Sequence, residues 1–424
     1  MVKNSSFRIM IIMIFMIPGL IFGQSVAKTV KTPVKLGVST INVTPLTPVL
    51  MSGYSSRKTP YTAIHDSLYA SALFFTDGKT KILLITSDLI GYPSEFIDDL
   101  KKMMSGKIDI PVENIMITAV HNHGGPVTRT YETNVPESVN NYVNGLKEKL
   151  VSVAVTASKK AVPFRMGVGK GACNMNMNRR EHFEDGSVGL GKNPDGPCDH
   201  EVTVVKLEDM NSDLMAVLVN WPCHGTASGD NNYRITADWP GAAARYIKKQ
   251  AGKNVVTAVT AGASGDIDPI YGPGDSFRHI EGTGFLVGAE AWKVMNSIET
   301  LPVYTLQSAN SSITFPGKTR GKNDFPQPAY ESGPEVEIRL SGIRVGNMIL
   351  AGISGELMNE IGMEVKKQSP YTWTMVVTHC NGSSGYICTD KAYSEGGYEP
   401  RTSRLMPGIE KPLIMKFMEL ISSL

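Results

Sequence analysis

Four runs of apolar and β-branched residues in this chain each end at a polar cluster. Ile115-Met-Ile-Thr-Ala-Val120 stops at His121-Asn122-His123, and Leu214-Met-Ala-Val-Leu-Val219 is followed by His224. Val255-Val-Thr-Ala-Val-Thr260 leads to Ser264-Gly265-Asp266-Ile267-Asp268, and Met348-Ile-Leu-Ala-Gly-Ile353 leads to Glu356. Runs that are apolar at every position, rather than at alternate ones, suit strands covered on both faces. Open α/β sheets bind ligands in the crevice beyond the carboxyl ends of such strands. Two imidazoles and a carboxylate delivered to one sheet edge therefore predict a metal site of the hydrolytic kind.

The rest of the chain alternates in the same way. A strand at Lys81–Asp88 precedes an amphipathic helix over Ser94–Ser105, and the Ile115–Val120 strand precedes a helical pattern over Pro136–Lys160. Strands at Glu201–Leu207 and Leu214–Val219 run nearly back to back, before a helix over Trp239–Lys249 opened by the Asp238-Trp-Pro turn. Helices are also expected over Gly282–Ser297, Glu356–Lys367 and Gly408–Ser422, and residues 303–353 read as a strand-rich meander. Gly124-Gly125-Pro126, Asp195-Gly-Pro197 and Gly272-Pro-Gly274 mark loops around the expected site. The pattern is an α/β fold.

The N-terminus bounds the compartment. Lys3 and Arg8 precede the apolar stretch Ile9–Phe22, with the small residues Gly23 and Ala27 behind it, which reads as a signal peptide over residues 1–23. The stretch is short for a membrane span. An exported protein, periplasmic or secreted, is the expectation, with an uncleaved anchor as the alternative. Loss of Lys3 and Arg8 brings the formal charge from +2 to about zero, so nothing steers the mature protein toward nucleic acid or an anionic membrane surface. Residues 24–424 are expected to form a single domain. Five cysteines leave at least one unpaired, and Cys380 and Cys388 flank a loop that a disulfide would close. No CxxC spacing offers thiolates to a metal.

The chemistry-bearing residues each have an ordinary reading beside the functional one. His121 and His123 lie on the same side of an extended segment, so one can ligate a metal while the other faces substrate, although an HxH pair is often a surface feature. His224 alone would be a hydrogen-bonded core histidine, and Glu356 a first-turn carboxylate favoured by a helix dipole. Two His and one Glu with an open position nevertheless match a catalytic zinc set. In the turn-rich loop Gly262-Ala-Ser-Gly-Asp266-Ile-Asp268-Pro269, either Asp266 or Asp268 serves as a base or as a partner of a ligating His, and the loop's amides can hold an oxyanion. Tyr386 and Tyr398 read as loop aromatics.

With these residues in place the chain resembles the neutral, non-lysosomal ceramidase family from about Leu36 to beyond Glu399. The family's HTHSGP-like segment is similar to His121-Asn-His-Gly-Gly-Pro126, its HGT segment to His224-Gly-Thr226, and its GE helix start to Gly355-Glu356. Its SGY…YE stretch looks like Ser384-Gly-Tyr386 through Tyr398-Glu399, its NR pair like Asn178-Arg179, and its HDPLYARA segment like His65-Asp-Ser-Leu-Tyr-Ala-Ser-Ala72. The resemblance implies a large mixed, twisted β-sheet core flanked by helices, and one zinc ion held by His121, His224, Glu356 and Tyr386. It further implies that His123, Arg179 and Tyr398 line the reaction centre. Two departures stand out. Asp268 occupies the place of a serine that the family needs for amide cleavage, and only 26 residues follow Tyr398, too few for the immunoglobulin-like domain the ceramidases append.

The first expectation is an exported zinc hydrolase in which Asp268 activates water and His123 and Tyr398 assist at an amide or ester carbonyl. The second keeps the scaffold but acts on carbohydrate, as a deacylase or a glycosidase with paired carboxylates; the polar loop 181–197 suits it. The third is a binding protein without catalysis. The partner is in each case a small molecule derived from lipid or glycan, with no nucleic acid and no stable membrane anchor. The polar segments Arg179–Asp185, Asp275–His279 and Tyr393–Tyr398, placed around the entrance, favour a compact substrate with a polar head over two alkyl chains.

Overall fold

The computed structural model describes Met1 and residues 32–129, 135–274, 276–319 and 330–424. The expected leader lies outside the described residues apart from Met1, as does Asp275. Residues Thr32–Leu424 form one compact unit.

The main sheet runs in the order Val256–Ala261, Leu214–Trp221, Glu201–Asp209, Val162–Ala172, Lys35–Asn42, Tyr69–Thr76, Lys81–Ser87 and Ile115–Ala119, and the two-residue strand Leu301–Pro302 joins it at Val162–Ala172. Its pairings are antiparallel except at the two ends, where Leu214–Trp221 runs parallel to Val256–Ala261 and Lys81–Ser87 parallel to Ile115–Ala119. The mixed, helix-flanked α/β sheet is thus the expected class. A second sheet orders Leu306–Thr319, Glu331–Val345, Met348–Ile353 and Trp373–Val377, its last pair parallel. These are the strands the apolar runs foretold: every residue of Ile115–Ala119 and of Met348–Ile353 is buried.

Helices supply the covering faces. Ser94–Ile108 and Glu137–Lys159 bury Leu100, Met104, Val143, Leu146 and Leu150 against the Lys35–Asn42 side of the main sheet. Asp238–Ala251 and Phe277–Ser297 pack on each other and on the opposite end, where Trp221 meets Trp239 edge-on at 4.7 Å. Glu410–Ser422 seals the second sheet with Leu413, Phe417 and Leu420.

Long-range bonds draw the carboxyl ends of the two sheets together. The Thr118 hydroxyl donates to the Thr378 carbonyl at 2.7 Å, the Asn381 side chain accepts from Ile117 N at 2.9 Å, and Thr378 N reaches the Ala261 carbonyl at 3.0 Å. The loops beyond three different strands, Ile115–Ala119, Val256–Ala261 and Trp373–Val377, are therefore tied together.

Three expectations need correction. The helix placed at Glu356–Lys367 begins at Asn359; Glu356 and Leu357 instead form a short strand paired in parallel with Tyr386 and Ile387. Much of the polar segment 181–197 is not loop, because Val188–Asn193 folds back as a hairpin on Asn176–His182, whose other edge pairs with Ile267–Pro269. Cys380 and Cys388 are not bridged, and all five cysteines are free. Cys380 is buried in the core between the sheets, whereas Cys388 packs with Met358 and Tyr393.

Candidate metal centre

Glu356 and Tyr386 are direct partners in the two-residue parallel ladder, so backbone pairing alone brings a carboxylate and a phenol together from positions 30 residues apart in the sequence. His121 follows the Ile115–Ala119 strand and His224 the Leu214–Trp221 strand. The segments behind them are joined by a parallel bridge between Asn122 and Gly225.

The ring tautomers follow from what each Nδ1 touches. His121 Nδ1 lies 2.7 Å from the Ile90 carbonyl and His224 Nδ1 3.2 Å from the Ile267 carbonyl. A carbonyl only accepts, so both Nδ1 atoms carry hydrogen and both Nε2 atoms present lone pairs. Those lone pairs point to one place: Glu356 Oε2 is 3.2 Å from His121 Nε2 and 3.4 Å from His224 Nε2. His224 Nε2 and Glu356 Oε2 are buried with no hydrogen-bond partner. Three acceptors facing one another out of water repel unless a cation stands among them. Burial alone would raise the Glu356 carboxyl, but positive charge placed among His121, His224 and His379 outweighs it and holds it well below the usual carboxylate range, so the pocket favours a cation beside the carboxylate. His224 is held below its ordinary range by burial and by Arg179, so it supplies no proton to relieve the repulsion. The residues fit a metal ion.

His123 completes the cluster. A nitrogen of each of His121, His123 and His224 lies within 4.8 Å of the others, and both His123 nitrogens are buried and unpartnered. Burial, then the neighbouring imidazoles, keep His123 well below the ordinary histidine range, so it is neutral at pH 7. Its ring meets Tyr54 edge-on at 5.1 Å, and its carbonyl accepts from Arg57 at 2.5 Å. Gly53 is required here: its φ is +99°, and an added Cβ would stand 2.5 Å from the His123 ring.

Arg179 is engaged through all three of its nitrogens. Nε pairs with Glu399 at 2.8 Å, Nη1 with Asp268 at 3.2 Å, and Nη2 donates to the Gly265 carbonyl at 2.8 Å and to the Tyr386 hydroxyl at 3.0 Å. Glu399 shares its second oxygen with Arg180 at 3.0 Å. Tyr398 lies 5.8 Å from the Tyr386 ring and 5.8 Å from the Arg179 guanidinium.

The two aspartates, two residues apart in the sequence, have different surroundings. Asp268 Oδ1 accepts from Arg179 and from Thr226 at 3.0 Å, and lies 3.9 Å from His224 Nδ1. Burial would raise its carboxyl, but Arg179, His224 and Thr226 outweigh it and hold it below the usual range. Asp266 is occupied elsewhere: its oxygens accept from Asn178 at 3.0 Å and from Asn359 N at 2.8 Å, and burial pushes it up to about 6. Its carboxylate fixes the loop to the start of the Asn359–Gln368 helix and takes no part in the imidazole cluster. Tyr393, expected at the entrance, is core, its hydroxyl donating to the Leu405 carbonyl at 2.9 Å.

His379 is the residue the sequence reading passed over. It stacks face to face on His121, ring centroids 3.9 Å and 9° apart, and follows the Trp373–Val377 strand. Trp373-Thr-Met-Val-Val377 before Thr378-His379 is a fifth instance of an apolar run ending in a chemical group, so the signal was present.

A mixed α/β scaffold that gathers imidazoles, a carboxylate and a phenol at its strand ends has the donor set of a metal-dependent hydrolase. Residues 34–276, more than half of the chain, match the neutral/alkaline non-lysosomal ceramidase family, N-terminal, and the chain belongs to that family. It is 24% identical to neutral ceramidase A of Dictyostelium discoideum over 212 residues, covering 47% of this chain and 30% of that protein. It is 26% identical to neutral ceramidase B of the same organism over 238 residues, covering 52% and 33%. The match thus spans about a third of the length of these relatives. The fold superposes with a TM-score of 0.78 and 17% identity on a ceramidase complexed with C2, over 92% of this chain and 75% of that one. The neutral ceramidase of Pseudomonas aeruginosa gives the same score and identity, over 92% and 74%.

Proposed function

We propose that this chain is an exported, zinc-dependent hydrolase that cleaves an N-acyl amide or ester bond, with His121, His224, Glu356 and Tyr386 as the metal ligands. The observation that carries this reading is the convergence of two imidazole lone pairs on Glu356 Oε2 at 3.2 and 3.4 Å. Zinc bound by such a set supplies Lewis acidity toward a carbonyl and acidifies water.

The chain's own residues do the rest. His123, neutral and free at both nitrogens, takes up a proton from the attacking water and returns it to the leaving group. Arg179 is held rigidly by Glu399 and Asp268, and it presents positive charge beside Tyr386, where negative charge builds on the substrate oxygen. Tyr398 borders the same space.

This reading moves proton transfer from Asp268 to His123. A carboxylate bonded to Arg179 and Thr226 and held below its usual range is a weak base, better suited to orienting Arg179. The same feature weighs against the glycosidase alternative, which needs one carboxyl kept protonated as an acid: Glu356 and Asp268 are both shifted the other way. A deacylase acting on a compact, polar-headed substrate remains within the proposal, with long-chain ceramide a poor substrate.

The test is turnover of the purified protein on N-acyl sphingoid, acyl ester and aryl glycoside substrates, with and without a chelator. Release of acyl groups that stops with chelator and returns with zinc is expected. Turnover indifferent to chelator, or confined to the glycoside, overturns the reading.

A further inference from the structure

His379 carries two unfavourable features in one residue. Its φ is +52°, a left-handed conformation that non-glycine residues rarely adopt, and His121, on which it stacks, is likewise at +58°. Its Nε2 is buried without a hydrogen-bond partner, although His121 and His224 each have a backbone carbonyl to fix the ring. A position needing only a flat ring to cover His121 would be served by phenylalanine, with no nitrogen to desolvate. Strain and an orphaned polar atom at one residue point to a ligand.

That ligand is not the metal of the neighbouring centre. An imidazole lone pair lies in the plane of its ring, so an ion bound to His121 Nε2 sits in the His121 plane. The His379 plane runs parallel to it, 9° apart in tilt and one stacking distance away. An ion in the first plane is out of reach of a lone pair in the second. The charged or titratable groups around His379 are His121, Glu356, His224 and Arg129, so a partner for its Nε2 that is not the metal is a molecule bound beside the centre.

We propose that His379 is a substrate-contacting residue, whose Nε2 takes up a hydrogen-bonding group, a hydroxyl or amide, that the substrate carries next to the bond to be cleaved. The inference rests on the reading of the site as a hydrolytic centre and adds to it a residue, His379, that sets the preference for a polar group close to the acyl linkage.

Two small probes differing by one hydroxyl test it, N-(2-hydroxyethyl)acetamide and N-ethylacetamide. Calorimetric titration of the zinc-loaded protein should show about tenfold tighter binding of the first, the value of one hydrogen bond. His379→Phe keeps the stack and removes both nitrogens. It should abolish that preference while metal content stays at the wild-type level and thermal unfolding is little changed, and His379→Gln should restore part of the preference. Equal binding of the two probes by the wild type, or a preference that survives in His379→Phe, overturns the proposal. Loss of metal in His379→Phe also overturns it, assigning the residue to the support of His121. A binding preference that is present where chelator-sensitive hydrolysis is absent would sink the hydrolase reading alone.

Discussion

At the scale of single residues, the decisive quantity is what each polar atom lacks. His224 Nε2 and Glu356 Oε2 are 3.4 Å apart, both acceptors and both buried. His224→Ala and Glu356→Gln should each lower metal content from about one equivalent per chain toward none, measured by elemental analysis after dialysis. Full occupancy in either variant removes that residue from the ligand set. Asp266 offers a prediction of a different kind. Its folded pKa, about 6, lies above the unfolded value because the carboxyl is buried. As pH falls from 7 through 6 toward 4, the folded state takes up a proton that the unfolded state does not yet hold, so stability from this group rises as pH falls. Each unit between about 6 and 4 is worth at most roughly 1.4 kcal/mol. His123 and His379, buried neutral, act in the opposite sense below the unfolded histidine pKa. The comparison therefore has to be made against Asp266→Asn: urea-unfolding free energies should show the wild type gaining on the variant by about 2 kcal/mol between pH 7 and pH 4.5. Parallel curves would show that Asp266 is ionised in the fold throughout.

At the scale of elements, the short strand Glu356–Leu357 is the piece on which the centre depends. It contributes the proposed ligand Glu356, pairs with the strand that contributes Tyr386, and closes against the Gly265 turn, whose N–H donates to the Leu357 carbonyl at 2.8 Å. A Cβ on Gly265 would stand 2.8 Å from the Glu356 carbonyl oxygen and 2.9 Å from that of Leu357. These are backbone atoms on a paired strand, so relief requires moving the strand. Gly265→Ala should cost about 1–3 kcal/mol in stability and should also weaken metal binding, because Glu356 moves with its backbone. Gly78→Ala is the control: its Cβ meets nothing within 4 Å and its φ is +93°, so it should lose some stability through backbone strain but keep its metal affinity. Equal metal affinity in Gly265→Ala and wild type would show that Glu356 is placed by its side-chain contacts instead.

At the scale of the whole molecule, the two sheets share one crevice because their carboxyl ends are stitched by Thr118, Asn381 and Thr378. Among the described residues no helix is long and apolar enough to cross a membrane. We propose that the apolar stretch Ile9–Phe22 directs export and is removed. N-terminal sequencing of the protein recovered from outside the cytoplasm should begin shortly after Gly23 or Ala27, and a chain beginning at Met1 or Val2 in a membrane fraction would show an uncleaved anchor instead.

Much of the centre was legible before the fold was known, since local chemistry carries it. Strands buried on both faces must be apolar at every position, and the groups just beyond them stand out for that reason: His121, His123, His224 and Glu356 were all marked by the runs that precede them. Three matters were left to tertiary structure. Asp266 and Asp268 are equivalent in sequence pattern, but Asp266 lies in the turn closed by Ile267 N on the Ser264 carbonyl, while Asp268 lies in a strand paired with Met177. That long-range pairing gives Asp268 to Arg179 and Asp266 to Asn178. Glu356 looked like the first turn of a helix until a strand 30 residues later claimed its backbone. Cys380 and Cys388 bracket a short loop, yet they are buried in different cores. Side-chain period and burial are properties of a segment, and the sequence determined them. The direction a polar group faces, and whether its partner is a metal, an arginine or a backbone amide, depends on segments that meet only when the sheets close.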